Sequence, residues 1–417
     1  MPPVFSGRIF VMLIRKLSPE EFLDAAKISI LAFEVSNPDI TDSPEEYYKK
    51  ISENPSTPGQ EETAVRWGAF DDDGKLTASI VVMPFSANFD GGTVPVYGIG
   101  DVSTLPHCRR GGAIRACFAS ALKDMYKSGA VFSYLYPFSY KFYRKFGYEL
   151  SAQTVFYKVD LRSLPKVPYD GHFKMYEPGA DISDFNEAYE KFSVGINFML
   201  QRGEVLWKRR MTSFSPYKDG RWAFVWHDAD DNPRAYFSYS IEKTENERVM
   251  KIHDFCFDSA EALRVLLTFI SGYSSWSDYV EFPMPPHIPI EDFLGELCGN
   301  VSRKIAYTGM LRVVNAKKTL KLAKYQGSGE FVISITDENI QNNNAIFAVK
   351  FGEGKTEVEI TDRAPDIETD IRAFSKLISG AVDLECVNFS EGIVVNSNTE
   401  TLKKAFYKKP LWINDYF

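Results

Sequence analysis

The sequence has no run of about 18 consecutive apolar residues, so a helical membrane span is not expected. Its opening, MPPVFSGRIFVMLIRKL, holds only a short apolar stretch and no small-x-small cleavage site, which argues against a secretory signal. Met12 is an alternative start, with residues 1–11 then an extension. Cysteine is scarce: Cys108, Cys117, Cys256, Cys298 and Cys386 are odd in number, scattered and never spaced as CxxC. That pattern argues against a disulfide framework or a zinc site and for a reducing cytoplasm. The five histidines are just as dispersed and no HExxH occurs, so no metal is expected. Positive charge is in deficit, 48 Lys+Arg against 56 Asp+Glu, a net charge of −8. Nucleic acid and anionic membranes are therefore poor partners, whereas a cationic small molecule would be attracted.

What remains is a chain long and apolar enough, 417 residues at 44% hydrophobic, to build two or three cored domains. Ser18-Pro19-Glu20-Glu21 supplies a helix cap, a proline at the first helical position and a capping-box glutamate. Phe22, Ala25, Ala26, Ser29 and Phe33 follow at helical spacing. An antiparallel meander comes next, with turns at DDDG and DGG between β-rich runs. After it, Ile114, Cys117, Phe118, Ala121, Leu122 and Met125 mark one apolar helix face. AVFSYLYPF reads as a buried strand and SYKFYRKFGYEL as a short helix entering a last strand. From about 156 to 300 the order partly recurs, but the second strand-to-helix join, FDSAEAL, has a serine cap and neither glycine nor arginine. Residues 301–417 alternate strands and helices as a compact α+β unit.

The chemistry concentrates in VYGIGDVSTLPHCRRGGAIRACF. A strand ending at Leu105 feeds the loop Arg109-Arg110-Gly111-Gly112-Ala113, which opens a helix. Glycines permit close backbone approach, the helix start offers unpaired N–H groups, and the arginines add charge. Such a loop suits a pyrophosphate, with a surface charge the lesser alternative for either arginine. A Walker A loop is excluded because no GK[ST] follows, and a dinucleotide fingerprint because GxGxxG is absent.

Arg109-x-x-Gly112 between strand and helix resembles the R/Q-x-x-G-x-G/A acetyl-CoA loop of the GNAT N-acetyltransferases, with Ile114 a departure at the third small position. FYRKFGYEL, about thirty residues on, resembles the family's FY-x-x-x-GF/Y signature. Together with the degenerate second copy, the C-terminal α+β unit and the aromatic end KKPLWINDYF, the chain resembles the Eis (enhanced intracellular survival) acetyltransferases. The resemblance implies an α/β (α+β) fold: a GNAT domain at 12–155, a degenerate GNAT domain at 156–300 and a sterol-carrier-like domain at 301–417. It implies acetyl-CoA as co-substrate, an amine acceptor (aminoglycoside-like, lysine or polyamine) and a homo-oligomer, a hexamer in that family. Backbone groups of Val102 and Thr104 would pair with the pantetheine arm, and Arg109, Arg110, Gly111, Gly112 and Ala113 would hold the pyrophosphate. Tyr143 takes the place of the family's general acid, selected by the signature spacing over Tyr134, Tyr136, Tyr140 and Tyr148. Phe33 and Glu34 fall where that family's acceptor pocket begins, though Phe33 also reads as core and Glu34 as a solvated helix end. The family's base is the chain's own terminal carboxylate, here that of Phe417. Direct attack of amine on thioester leaves Cys108 and Cys117 as bystanders. Competing expectations are a GNAT of narrow peptide or metabolite substrate, and a lipid-binding protein with a vestigial transferase half.

Overall fold

The computed structural model describes residues 12–35, 42–53, 55, 57–211, 215–218, 220–294 and 301–417. Residues 1–11 and Cys298 lie outside that set. The first half begins with β1 (Leu13–Lys16), α1 (Phe22–Phe33) and α2 (Pro44–Glu53). It continues with β2 (Val65–Phe70), β3 (Leu76–Phe89), β4 (Gly92–Thr104), α3 (Ala113–Lys127), β5 (Phe132–Leu135), α4 (Tyr140–Arg144) and β6 (Glu149–Asp160). The expected capping box is present: the Ser18 N–H donates to Glu21 Oε2 at 2.9 Å. The β3–β4 hairpin turns through Asp90 and Gly91, whose φ values of 49° and 80° give the tight two-residue turn that the DGG stretch suggests. α3 buries Ala113, Cys117, Phe118, Ala121, Leu122 and Met125 against β2 and β3. Ile114 packs against the same core while half-buried, and also borders a cavity described below.

The second half repeats the order with β7 (His172–Met175), α5 (Ser183–Ser193), α6 (Glu204–Met211), β8 (Arg221–His227), β9 (Pro233–Lys243), β10 (Arg248–Phe257), α7 (Ala260–Ser271) and β11 (Tyr279–Met284). Both halves share one twelve-stranded sheet, ordered β1-β2-β3-β4-β5-β12-β6-β11-β10-β9-β8-β7. β12 (Val301–Val313), which sequence reading places at the opening of the third unit, inserts between β5 and β6 and runs antiparallel to both. Among the described residues no helix is long and apolar enough to cross a membrane.

The C-terminal unit begins at α8 (Ala316–Leu322) and holds a five-stranded sheet of β13 (Gly329–Thr336), β14 (Ala345–Gly352), β15 (Lys355–Ile360), β16 (Ile367–Asp370) and β17 (Ile393–Val395). α9 (Ile371–Ser379) packs that unit against β12 and β6, and α10 (Thr399–Ala405) leads into the tail. Arg312 of β12 joins the two sheets. Its guanidinium is fully buried, donates to the Phe146 carbonyl, and meets Asp337 at 2.5 Å. Removing one partner of a buried pair strands the other charge. We expect Asp337→Ala to lower unfolding free energy by about 3–5 kcal/mol, read by denaturant titration.

Candidate functional site

β4 and β5 run parallel from Val96↔Phe132 to Ile99↔Leu135. β5 then ends while β4 continues, so the sheet opens between them. There β4 also slips register against β3, from Val81↔Gly100 to Ser79↔Ser103. Asp101 and Val102 thus face Ile80 together, with Asp101 in the left-handed region at φ 48°. Beyond the opening, the loop places Arg110 at φ 69° and Gly112 at φ 89° on either side of Gly111. Alternating conformations of this kind turn successive N–H groups toward one point, an anion-binding concavity. The first bond of α3 runs from the Ala116 N–H to the Gly112 carbonyl, so the N–H groups just before it have no acceptor within the helix.

One cavity of about 970 Å³ brings these parts together, with Val102 and Thr104 on the strand side and all five loop residues, 109 to 113, on the other. Arg109 also donates to the Ala32 carbonyl at 3.3 Å, fastening the loop to the C-terminal end of α1. That contact draws the end of α1 to the loop, and Phe33 accordingly lines this cavity rather than an acceptor pocket. Glu34 caps α1 in a left-handed conformation, is exposed, and is among the lining residues of neither cavity at this opening.

Tyr143 sits on α4, whose start is capped by Ser139 Oγ accepting from the Phe142 N–H. Its ring is only 3% exposed and packs edge-on against Phe138 and Phe142, which line the cavity. Burial, with a smaller contribution from Tyr148, pushes its phenol well above the ordinary tyrosine range. The other tyrosines have separate tasks. Tyr148 bonds to Ser133 at 2.7 Å, Tyr134 and Tyr136 hold the chain's end, and Tyr140 is exposed. Cys117 is fully buried, and burial pushes its thiol up to about 12, so it does not serve as a thiolate nucleophile.

The tail reaches this opening from the far side of the molecule. Leu411 pairs with Asn197, and Trp412, 1% exposed, donates from Nε1 to Thr154 Oγ1 at 3.0 Å. Asp415, 2% exposed, meets Arg202 at 3.0 Å and Arg210 at 3.0 Å, while its carbonyl accepts from Tyr136 Oη at 2.5 Å. Tyr416 stacks on Tyr136 with ring centroids 4.1 Å apart. The Phe417 ring lies among Phe85, Tyr134 and Tyr136 at 5.1–5.4 Å. Glycine at 98 is what admits it, since a Cβ there would stand 2.5 Å from the ring. An oxygen of the Phe417 carboxylate comes within 3.8 Å of where a Cβ on Gly100 would lie, one residue before Asp101.

A second cavity, of about 360 Å³, lies at that end of the opening and takes Ser29, Arg66, Gly100, Asp101, Arg209 and Phe417 into its lining. Asp101 accepts from Ser29 Oγ at 2.5 Å and meets Arg66 at 3.5 Å. Burial raises its pKa, and the Ser29 bond and Arg66 charge partly offset that. Sequence reading did not select Asp101, Ser29, Arg66 or Arg209. The available signal was an acid inside a β-rich run between glycines, GIGDV. The histidines are less dispersed in space than in sequence: cross-strand pairing brings His172 and His227 together, with Asp231, to within 4.8 Å, and none of them lines either cavity.

A sheet opened by a bulge, with a glycine-rich loop opening a helix on one side and a second pocket on the other, is the construction of a GNAT acyltransferase. Residues 13–151 and 198–313 each match the family described as Acetyltransferase (GNAT) domain, and 316–414 match the Sterol carrier protein domain. The N-acetyltransferase Eis of Mycobacterium tuberculosis (strain CDC 1551 / Oshkosh) is 24% identical over 301 residues, 69% of this chain and 71% of that protein. A probable N-acyltransferase from Enterococcus faecalis V583 superposes with a TM-score of 0.83 at 22% identity, over 98% of this chain and 100% of the other. Eis1 from Mycobacterium abscessus does so with a TM-score of 0.79 at 19% identity, over 98% and 100%. Its first two units are GNAT acetyltransferase domains, and over about two thirds of its length the chain is similar to the Eis N-acetyltransferases. It is an acyltransferase, and its fold implies acetyl-CoA as co-substrate.

The degenerate second half has a physical explanation. Where the first half opens its helix with Gly112, the second uses Ser259, whose Oγ accepts from the Ala262 N–H at 3.1 Å. The chain's own side chain thus takes the place an anion would fill.

Proposed function

We propose that the protein transfers acetyl from acetyl-CoA to a primary amine by direct attack in a ternary complex at the β4–β5 opening. The carrying observation is the pairing of two cavities, one bearing the anion loop and the other the chain's own end. Arg109, Arg110, Gly111, Gly112 and Ala113 hold the pyrophosphate, and Val102 and Thr104 meet the pantetheine arm. The amine enters beside Asp101 and Phe417. The Phe417 carboxylate takes the ammonium proton, the freed nitrogen lone pair attacks the thioester carbon, the C–S bond breaks, and the second N–H proton ends on the departing thiolate. In water an α-carboxylate has a pKa of about 3.3–3.7, and apolar surroundings of the kind the tail provides favour its protonated form. Tyr143 donates to the departing sulfur. A phenol more basic than a thiolate stays protonated throughout and stabilises the leaving group by hydrogen bonding.

Among the described residues lining the acceptor pocket, the charged ones are Arg66, Asp101, Arg209 and the chain end Phe417, and Asp101 is paired with Arg66. Balanced charge favours an acceptor with one protonated amine, such as a lysine side chain, over a polycation. Profiling aminoglycosides, polyamines and lysine peptides tests this; a kcat/KM highest for the polycations would reverse the preference. We expect Asp101→Asn to raise acceptor KM about tenfold while leaving acetyl-CoA affinity unchanged, because Asp101 lies on the acceptor side alone. The family resemblance further suggests a cytoplasmic homo-oligomer, a hexamer, which light scattering would measure.

A further inference from the structure

We propose that the second half carries a site for an oxyanion, placed where the first half has its acceptor pocket. β10 and β11 run parallel from Val249↔Tyr279 to Lys251↔Glu281 and pair no further, as β4 and β5 do after Ile99↔Leu135. Two residues past the last parallel pair, the first half has Asp101 in the bulge of β4. At the same step the second half has His253, in the bulge of β10 between Ile252 and Asp254. A cavity of about 310 Å³ opens beside it, with Arg209, Arg210 and Arg221 in its lining and, among the described residues, no carboxylate side chain. In a chain of net charge −8 that is an unusual concentration of one sign.

Arg210 is taken up by the neighbouring ion pairs and carbonyls. Asp254 and Asp415 are engaged by Arg202 and Arg210, and Arg210 also donates to the carbonyls of Asn414 and His253. Arg209 differs: among the described residues its Nη1 is buried without a hydrogen-bond partner. A buried charged donor left unmade is costly, and a guanidinium is shaped to grip an oxyanion. Burial and the adjacent Arg210 charge hold the Arg209 pKa down. Burial, then Arg221 and Arg210, push His253 to about 4, leaving a neutral imidazole in a positive field. Phosphate, sulfate or carboxylate on a small molecule fits both the size and the sign.

Arg209 also borders the acceptor pocket, and the tail separates the two spaces: Ile413, Asn414 and Tyr416 line one, Phe417 the other. The anion is therefore either the far end of the acceptor or a separate ligand acting next to the terminal carboxylate. The proposal does not depend on which groups perform acetyl transfer, since binding is read directly.

The test uses the full-length protein saturated with CoA, so that the loop at 109–113 is occupied. Inorganic phosphate is titrated against chloride at constant ionic strength by calorimetry. We expect saturable binding, weakened at least tenfold by Arg209→Gln and partly retained by Arg209→Lys, with CoA affinity unchanged in both. No saturable phosphate binding by the native protein, or undiminished binding by a folded Arg209→Gln protein, overturns the proposal. Kinetics then separate the two sources. Phosphate that raises only the acceptor KM occupies the place of the acceptor's own anion, and phosphate that changes kcat at unchanged KM occupies that of a separate ligand.

Discussion

A chain lengthened by three residues beyond Phe417 should lose about 10²–10⁴-fold in kcat/KM for the amine while still binding acetyl-CoA normally. The extension converts the terminal carboxylate to an amide and carries the negative charge away from Gly100 and Asp101. In free energy that is about 3–5 kcal/mol of transition-state stabilisation. Folding should survive, because the tail's anchors precede the change: Trp412 on Thr154, Asp415 on Arg202 and Arg210, Tyr416 on Tyr136. Thermal denaturation of the extended protein checks this. A stable extended protein of native activity would show that the base lies elsewhere, with Asp101 the nearest candidate. Gly98→Ala approaches the same point from the strand side. A methyl there meets the Phe417 ring at 2.5 Å, so acceptor turnover should fall while the acetyl-CoA cavity is untouched.

Tyr143→Phe should slow acetyl transfer about 10²-fold with little change in acetyl-CoA affinity. The ring's packing against Phe118, Phe138 and Phe142 is kept, so the loss isolates the hydroxyl. Because burial holds the phenol protonated well above its ordinary range, native activity should show no alkaline decline from Tyr143 at mildly basic pH. A fall in rate near pH 9 that disappears in Tyr143→Phe would contradict the role. Thioester donors with a more acidic thiol probe the same role. Their rates should depend less on Tyr143, since a weaker base needs less help in departing.

Local features of this molecule were readable from sequence, and features set by register or by distant chain were not. The loop at 109–113 declares itself because residues adjacent in sequence make the whole anion site. The Asp90-Gly91 turn is equally local. Asp101 is different: its side-chain direction follows from the slip between Val81↔Gly100 and Ser79↔Ser103, which nothing in GIGDV states. Arg209 comes from α6, more than a hundred residues away, and no periodicity connects it to β4. Phe33 lines the cavity of the 109–113 loop because of the tertiary bond from Arg109 to the Ala32 carbonyl, which helical spacing does not state. The insertion of β12 between β5 and β6 is likewise a pairing choice among similar apolar strands. For Phe417, sequence offered family likeness, and the packing adds a place: a ring held by Phe85, Tyr134 and Tyr136, with its carboxylate near Gly100.

The most direct test of acetyl transfer at the β4–β5 opening is a single-turnover reaction of the protein with acetyl-CoA and a lysine peptide, quenched and followed by mass spectrometry. Free CoA and N-acetylated peptide should appear together in equal amounts, with no acetylated protein at any time and with both signals suppressed in Tyr143→Phe. CoA release that precedes peptide acetylation, accompanied by acetyl on the protein, would contradict direct attack.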